Sequence, residues 1–253
     1  MKYCTIILLV LLFNCNTEKS NGLSAQDVID KSIEVSGVSL INNSFIEFNF
    51  RNVLYTAKRN GGNFRLSRSF EEDSMKIDDI LTNQKFERFI NAKPIKLEDS
   101  TASKFSASVN SVHYFSVLPY GLNDQAVIKK LLASRSIKNQ RYYTVKVTFK
   151  EDGGGKDFED EFLYWVNKDN YNIDYFAYSY MEEDGAGIRF RKAFNERFLD
   201  EIRFVDYKNY KPKTNNIKLE QLPDLFEKEE LILVSKIELK DIKVTLLPTS
   251  DDQ

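Results

Sequence analysis

From Arg141 onward, apolar and polar residues alternate strictly. Tyr143, Val145, Val147 and Phe149 fall on one side of the pattern, and Thr144, Lys146, Thr148 and Lys150 on the other. A period of two predicts a half-buried strand over Arg141–Phe149, with one face on a core and one in water. Four more such segments follow: Glu161–Val166, Tyr171–Tyr180, Ile188–Asn195 and Ile202–Tyr210. Turn-forming runs separate them, namely Asp152-Gly153-Gly154-Gly155, Asn167-Lys168-Asp169-Asn170, Asp184-Gly185-Ala186-Gly187 and the stretch Asn195–Asp200. Connections this short cannot carry a parallel crossover, so the pattern predicts an antiparallel meander.

The chain before the meander alternates too. Phe45–Ala57 reads as one long strand with Ile46, Phe48, Phe50 and Leu54 on one face. Gly61-Gly62 turns it into Phe64–Phe70, where Phe64, Leu66 and Phe70 alternate with polar residues, and Lys76–Leu81 and Lys85–Ile90 form a further hairpin. Two stretches switch to helical spacing. Ser24–Ser36 has Ser24 as a cap, Val28, Ile29 and Ile33 as a stripe, and Gly37 as a stop. Asp99–Leu118 carries Phe105, Val109 and Val112 among small residues, the kind of helix that lies against a sheet. After Leu131–Ile137 and the meander, Pro223–Glu230 reads as a short helix and Val234–Leu247 as the last strand. The inward set of that strand changes parity, which predicts a bulge near Lys240-Asp241. No linker or composition shift divides the chain. The expectation is one mainly β (α+β) domain over residues 24–247, with roughly ten or eleven antiparallel strands, two or three helices, and a tail at 248–253.

The first residues have a different character. Lys2 precedes the apolar run Tyr3–Phe13, which has the length of a signal-peptide core and is too short to span a bilayer. It ends in Leu12-Phe13-Asn14-Cys15, followed by a polar linker to Gly22. This resembles the lipobox of bacterial lipoproteins, with Leu three residues before Cys; Asn14 departs from the usual Gly, Ala or Ser. The resemblance implies a signal peptide over residues 1–14, acylation of Cys15 and a linker over 15–23. Each buried methylene contributes ~0.8 kcal/mol and stable anchoring takes two chains or more, so a triacylated Cys15 would hold the protein on a membrane without a spanning helix. Asn16 follows where an Asp would imply inner-membrane retention, so the expected location is the outer membrane.

Composition narrows the chemistry. Lys and Arg number 36 against 38 Asp and Glu, interspersed, so a nucleic-acid partner is not expected. With one His, His113, and two Cys, Cys4 and Cys15, a His/Cys zinc site and a Cys–His catalytic pair have too few members. No cofactor and no metal are expected. The acidic run Glu151-Asp152…Asp157…Glu159-Asp160-Glu161 offers oxygens for calcium, but its spacing matches no EF-hand and a hairpin explains its glycines. Glu182-Glu183-Asp184-Gly185 reads the same way. His113 has no nucleophile or partner placed by spacing and reads as a packed or surface residue. The rings of Tyr164, Trp165, Tyr171, Tyr175, Phe176, Tyr178 and Tyr180 are denser than a two-sided sheet needs. They suit either a helix-covered core with a tyrosine ladder behind it, or a cavity wall or sugar-stacking platform.

The order of lipobox, helix, long strands, helical break and more strands resembles the lipoprotein-carrier superfamily of LolA and LolB. The strings Gly153-Gly154-Gly155-Lys156-Asp157-Phe158-Glu159-Asp160, Tyr164-Trp165-Val166-Asn167, Ile188-Arg189-Phe190-Arg191 and Ile202–Tyr210 resemble an uncharacterised family of Bacteroidota lipoproteins. The carrier resemblance implies a curved antiparallel half-barrel with helices across its concave face and an apolar cavity for acyl chains or another hydrophobic ligand. The expected cavity residues are Phe48, Phe50, Leu54, Phe64, Leu66, Phe105, Val109 and Val112. The leading reading is a non-enzymatic, membrane-anchored envelope lipoprotein that binds a lipid or other apolar small molecule. The second is a module with a filled core that docks an envelope protein partner, and the third, least favoured, is an envelope hydrolase.

Overall fold

The computed structural model describes residues 22–152, 158–182, 185–214 and 216–248. Cys4, Asn14 and Cys15, the glycines of 153–155 and Asp157, and Glu183 and Asp184 lie outside them, and with them the lipobox and the centres of both acidic runs.

The chain is mainly β, in two antiparallel seven-stranded sheets. The first holds β1 (Asn43–Phe50), β2 (Val53–Asn60), β3 (Asn63–Glu72), β4 (Met75–Thr82), β5 (Phe86–Ile90) and β6 (Lys93–Ile95), with the last strand, β14 (Lys240–Leu246), beside β1. The second runs in order from β7 (Val127–Ile137) through β8 (Gln140–Phe149), β9 (Glu161–Asn167), β10 (Ile173–Glu182), β11 (Gly185–Leu199) and β12 (Ile202–Lys211) to β13 (Ile232–Ile237). The chain leaves the second sheet at β13 and enters the first at β14 with only Glu238 and Leu239 between, so the two sheets meet there. β6 and β7 end the two sheets and do not pair, so no barrel closes. This is the open, curved antiparallel arrangement expected.

Among the described residues, fourteen strands replace the ten or eleven expected. Arg51 and Asn52 both adopt left-handed φ, 52° and 61°, and form a two-residue hairpin inside the stretch read as one strand. Asp73-Ser74, Asn91-Ala92, Lys138-Asn139 and Asp200-Glu201 turn in the same way without glycine. The Arg51-Asn52 hairpin corrects one face: Phe50 pairs with Val53 and Phe48 with Tyr55, so Leu54, opposite Asn49, points away from Phe48 and Phe50. The last stretch also divides, at Glu238-Leu239, and the expected bulge is present. Glu47 faces Lys243 and Asn49 faces Lys240, leaving one extra residue at Asp241, whose φ is 53°. β11 runs past its expected end at Asn195 through a bulge, with Phe194 opposite Asp206 and Arg197 opposite Phe204.

Among the described residues, three α-helices cover the sheets. α1 (Ala25–Val35) starts at Ser24 in a capping box with Asp27 and stops before Gly37, whose φ of 62° and proximity to the Glu201 carbonyl leave no room for a Cβ. It packs Val28 and Ile29 on the inner face of the second sheet, among Val145, Phe162, Tyr164 and Phe176. α2 (Asp99–Ser116) lies between the inner faces of both sheets. Val109 meets Ala57 and Leu66 of the first, and Phe115 meets Phe162 and Phe176 of the second. α3 (Leu222–Glu227) takes the other side: Leu222 and Phe226 cover Trp165, Tyr175 and Phe190 on the outer face. Both faces of the second sheet are therefore packed, which accounts for the density of rings in β9 and β10.

Candidate functional site

α2 does not fill the space between the sheets along its whole length. Around Ser111 and Phe115 a groove with two adjoining lobes remains, of about 280 and about 430 Å³. Ser111, Phe115 and Arg191 line both. The smaller lobe is walled by Phe50 and Val112 on one side, and by Val205, Ile237 and Leu239 on the other. The larger lies over Phe149, Phe162, Tyr178 and Tyr180, with Arg189 and Asp160 at its margin.

Strand periodicity delivers this composition. Arg191 sits opposite Phe176, and Arg189 opposite Tyr178, so both arginines of β11 share the inner face with those rings, while Ile188 and Phe190 face α3. Arg191 is only 8% exposed. Its guanidinium carbon lies 4.1 Å from the centre of the Phe115 ring and 5.1 Å from that of Tyr178, and Nη2 donates to the Tyr178 hydroxyl at 2.8 Å. Among the described residues that is its one hydrogen bond, Nε is buried without a partner, and Arg191 forms no ion pair. Burial lowers its pKa from the ordinary arginine range. Burial also pushes the phenols of Tyr114 and Tyr207 up to about 12, so both remain protonated donors beside the groove.

The expected cavity residues divide. Phe50 and Val112 line the groove. Phe48 is buried in a stack with Tyr55 at 5.4 Å, and Leu66 and Val109 are buried together with Phe64 packed at their edge, in a cluster under α2. The centre of the Phe105 ring lies 3.5 Å from the guanidinium carbon of Arg88, covering an ion cluster in which Asp79 accepts from both Arg68 and Arg88. Leu54 is on the other face. Val205, Tyr207, Phe115 and the two arginines escaped sequence reasoning, and Ile237 and Leu239, expected to face inward from the last strand, were not among the expected cavity residues. Period-two alternation in Ile188-Arg189-Phe190-Arg191 marks two arginines on one face, but only the pairing with Phe176 and Tyr178 reveals that this face is interior.

His113 is a packed residue. It is 1% exposed, sits edge-on to Phe48 and Tyr55, and its Nε2 lies 3.0 Å from the Ser67 carbonyl oxygen. A carbonyl only accepts, so Nε2 carries the proton. Glu161, from the acidic run, is paired with Lys146. Among the described residues no group of His, Cys, Asp and Glu could hold a metal ion, and no helix is long and apolar enough to cross a membrane.

A model of a family of unknown function, DUF6503, matches residues 2–239. No curated protein matches the chain. Among solved structures, a DUF1329 family protein from Desulfovibrio piger is similar at 12% identity, over 87% of this chain and 92% of that one, with a TM-score of 0.42. A putative outer membrane lipoprotein-sorting protein domain from Vibrio parahaemolyticus is similar at 9% identity, over 90% and 96%, with a TM-score of 0.35. Mycobacterium tuberculosis lipoprotein LppX is similar at 8% identity, over 63% and 88%, with a TM-score of 0.28.

Proposed function

The chain belongs to the DUF6503 family of unknown function, and we propose that it is a membrane-anchored, non-enzymatic envelope lipoprotein that binds a lipid-like or other apolar ligand between α2 and the inner sheet faces. The observation that carries this reading is the groove at Ser111 and Phe115, whose smaller lobe is walled by Phe50, Val112, Val205, Ile237 and Leu239. Concave, mostly apolar sites with a few placed polar groups are the usual form of small-molecule sites, and a filled docking module would be close-packed here. Native mass spectrometry of the purified protein tests it. A co-purifying lipid-sized mass, released by denaturation, is expected; a bare mass after exposure to lipid extract would contradict it.

The anchor is part of the same proposal. The Leu12-Phe13-Asn14-Cys15 string supports acylation at Cys15, and Asn16 supports the outer membrane. Cys15→Ala should abolish acylation and move the protein to the soluble fraction. Retention of Cys15→Ala on membranes through a carbonate wash would refute the lipobox reading.

A further inference from the structure

The two arginines at the groove ask for something the described residues do not supply. A guanidinium is almost never buried without a carboxylate, because its lost hydration must be replaced. Arg191 is 8% exposed and, among the described residues, has no ion pair, one hydrogen bond and an unpartnered Nε. The faces of Phe115, Phe176 and Tyr178 offset part of that loss by cation–π attraction. They leave the fork of N–H donors otherwise unused, where it borders both lobes. Arg189, two residues away on the same face, also forms no ion pair among the described residues; its Nη1 donates to the Ile188 carbonyl. Among the described residues, the charged side chains lining the two lobes are Arg51, Arg189 and Arg191 together with Asp160. In a chain with 36 basic and 38 acidic side chains, this makes the groove a positive pocket in a mildly acidic protein. Low-dielectric walls focus such a field on whatever enters.

From these features we infer that the groove takes an amphipathic anion, a carboxylate or phosphate on an apolar chain. Its head sits on Arg191 and Arg189, and its chain lies among Val112, Val205, Ile237 and Leu239. The inference rests on the apolar-ligand reading above and adds the charge of the head group. Arginine suits it because its planar fork meets two oxygens of a carboxylate or phosphate at once. Tyr178, already tied to Arg191, holds the fork in place.

Calorimetry of the purified protein with decanoate, decyl phosphate, decanol and inorganic phosphate tests it, alongside Arg191→Gln and Arg189→Gln. Decanoate or decyl phosphate should bind at least about tenfold more tightly than decanol, the scale of one or two charge-assisted hydrogen bonds. Whichever of the two binds more tightly identifies the head group. Either substitution should erase that preference while leaving the affinity for decanol in place. Arg189→Gln, at a less buried position, serves if Arg191→Gln does not fold. Decanol binding as tightly as both anions would overturn the anionic head and leave the apolar-ligand reading intact. Binding of none of the three chains would overturn both, and so would binding of inorganic phosphate at the same affinity as decyl phosphate.

Discussion

Nε2 of His113 donates to the carbonyl oxygen of Ser67 at 3.0 Å, joining the last turn of α2 to a strand of the first sheet. Burial holds the imidazole neutral, with its pKa lowered to about 3. An unfolded histidine titrates near 6.5, so below that pH the unfolded chain takes up a proton that the folded chain refuses. The stabilisation is fully present above about 6.5 and is lost as pH falls toward 3, with a slope of up to roughly 1.4 kcal/mol per pH unit. His113→Gln keeps a donor and removes the titration. Urea melts between these limits should show a shallower pH dependence for His113→Gln than for the parent; equal slopes would show that His113 titrates alike in both states.

Asp79 is fully buried between Arg68 and Arg88, accepting at 2.7 Å from one and at 2.6 and 2.8 Å from the other. Removing its charge strands two largely buried cations beneath Phe105 and Ser108. Breaking a buried pair from one side costs about 3–5 kcal/mol, and the partial exposure of both arginines argues for the lower end. Asp79→Asn should therefore lower denaturation stability by about 3 kcal/mol. A change under about half a kcal/mol, the size typical of surface substitutions, would show that water already screens the cluster.

Val109 separates the core under α2 from the groove beside it. It is fully buried against Ala57 and Leu66 and borders neither lobe. Val109→Trp overpacks that cluster and should cost about 1–3 kcal/mol. Ligand binding by the folded variant should stay at the parent level, and loss of binding without loss of stability would move the ligand to Val109.

Much of the β architecture was legible because alternation and turn residues are local signals. Gly61-Gly62 announces its hairpin, and the shifting parity of the last strand announces its bulge. Arg51-Asn52 does not announce itself, since Arg rarely takes left-handed φ, and an unseen two-residue turn transfers every later residue to the opposite face. That is why Leu54 was expected inside and Tyr55 and Ala57 were not. The site was less legible. Phe50 and Val112 could be named because they belong to apolar stripes. Arg191 could not, because a charged residue on an alternating strand reads as solvent-facing until the pairing of β10 with β11 places it against Phe176. The groove itself arises where three distant segments meet, around Val112, Val205 and Ile237, and no local pattern encodes that meeting.

The central claim, an apolar ligand beside α2, is tested most directly by filling the groove. Ser111 is exposed and borders both lobes, so Ser111→Trp places an indole in their shared space without crowding the core. Titration of a fluorescent fatty-acid probe into the parent and Ser111→Trp, with melting curves of both, gives the result. Saturable binding by the parent, lost in Ser111→Trp at an unchanged melting temperature, is what the account predicts. A parent that binds no probe, or a folded Ser111→Trp that binds it as well as the parent, would contradict it.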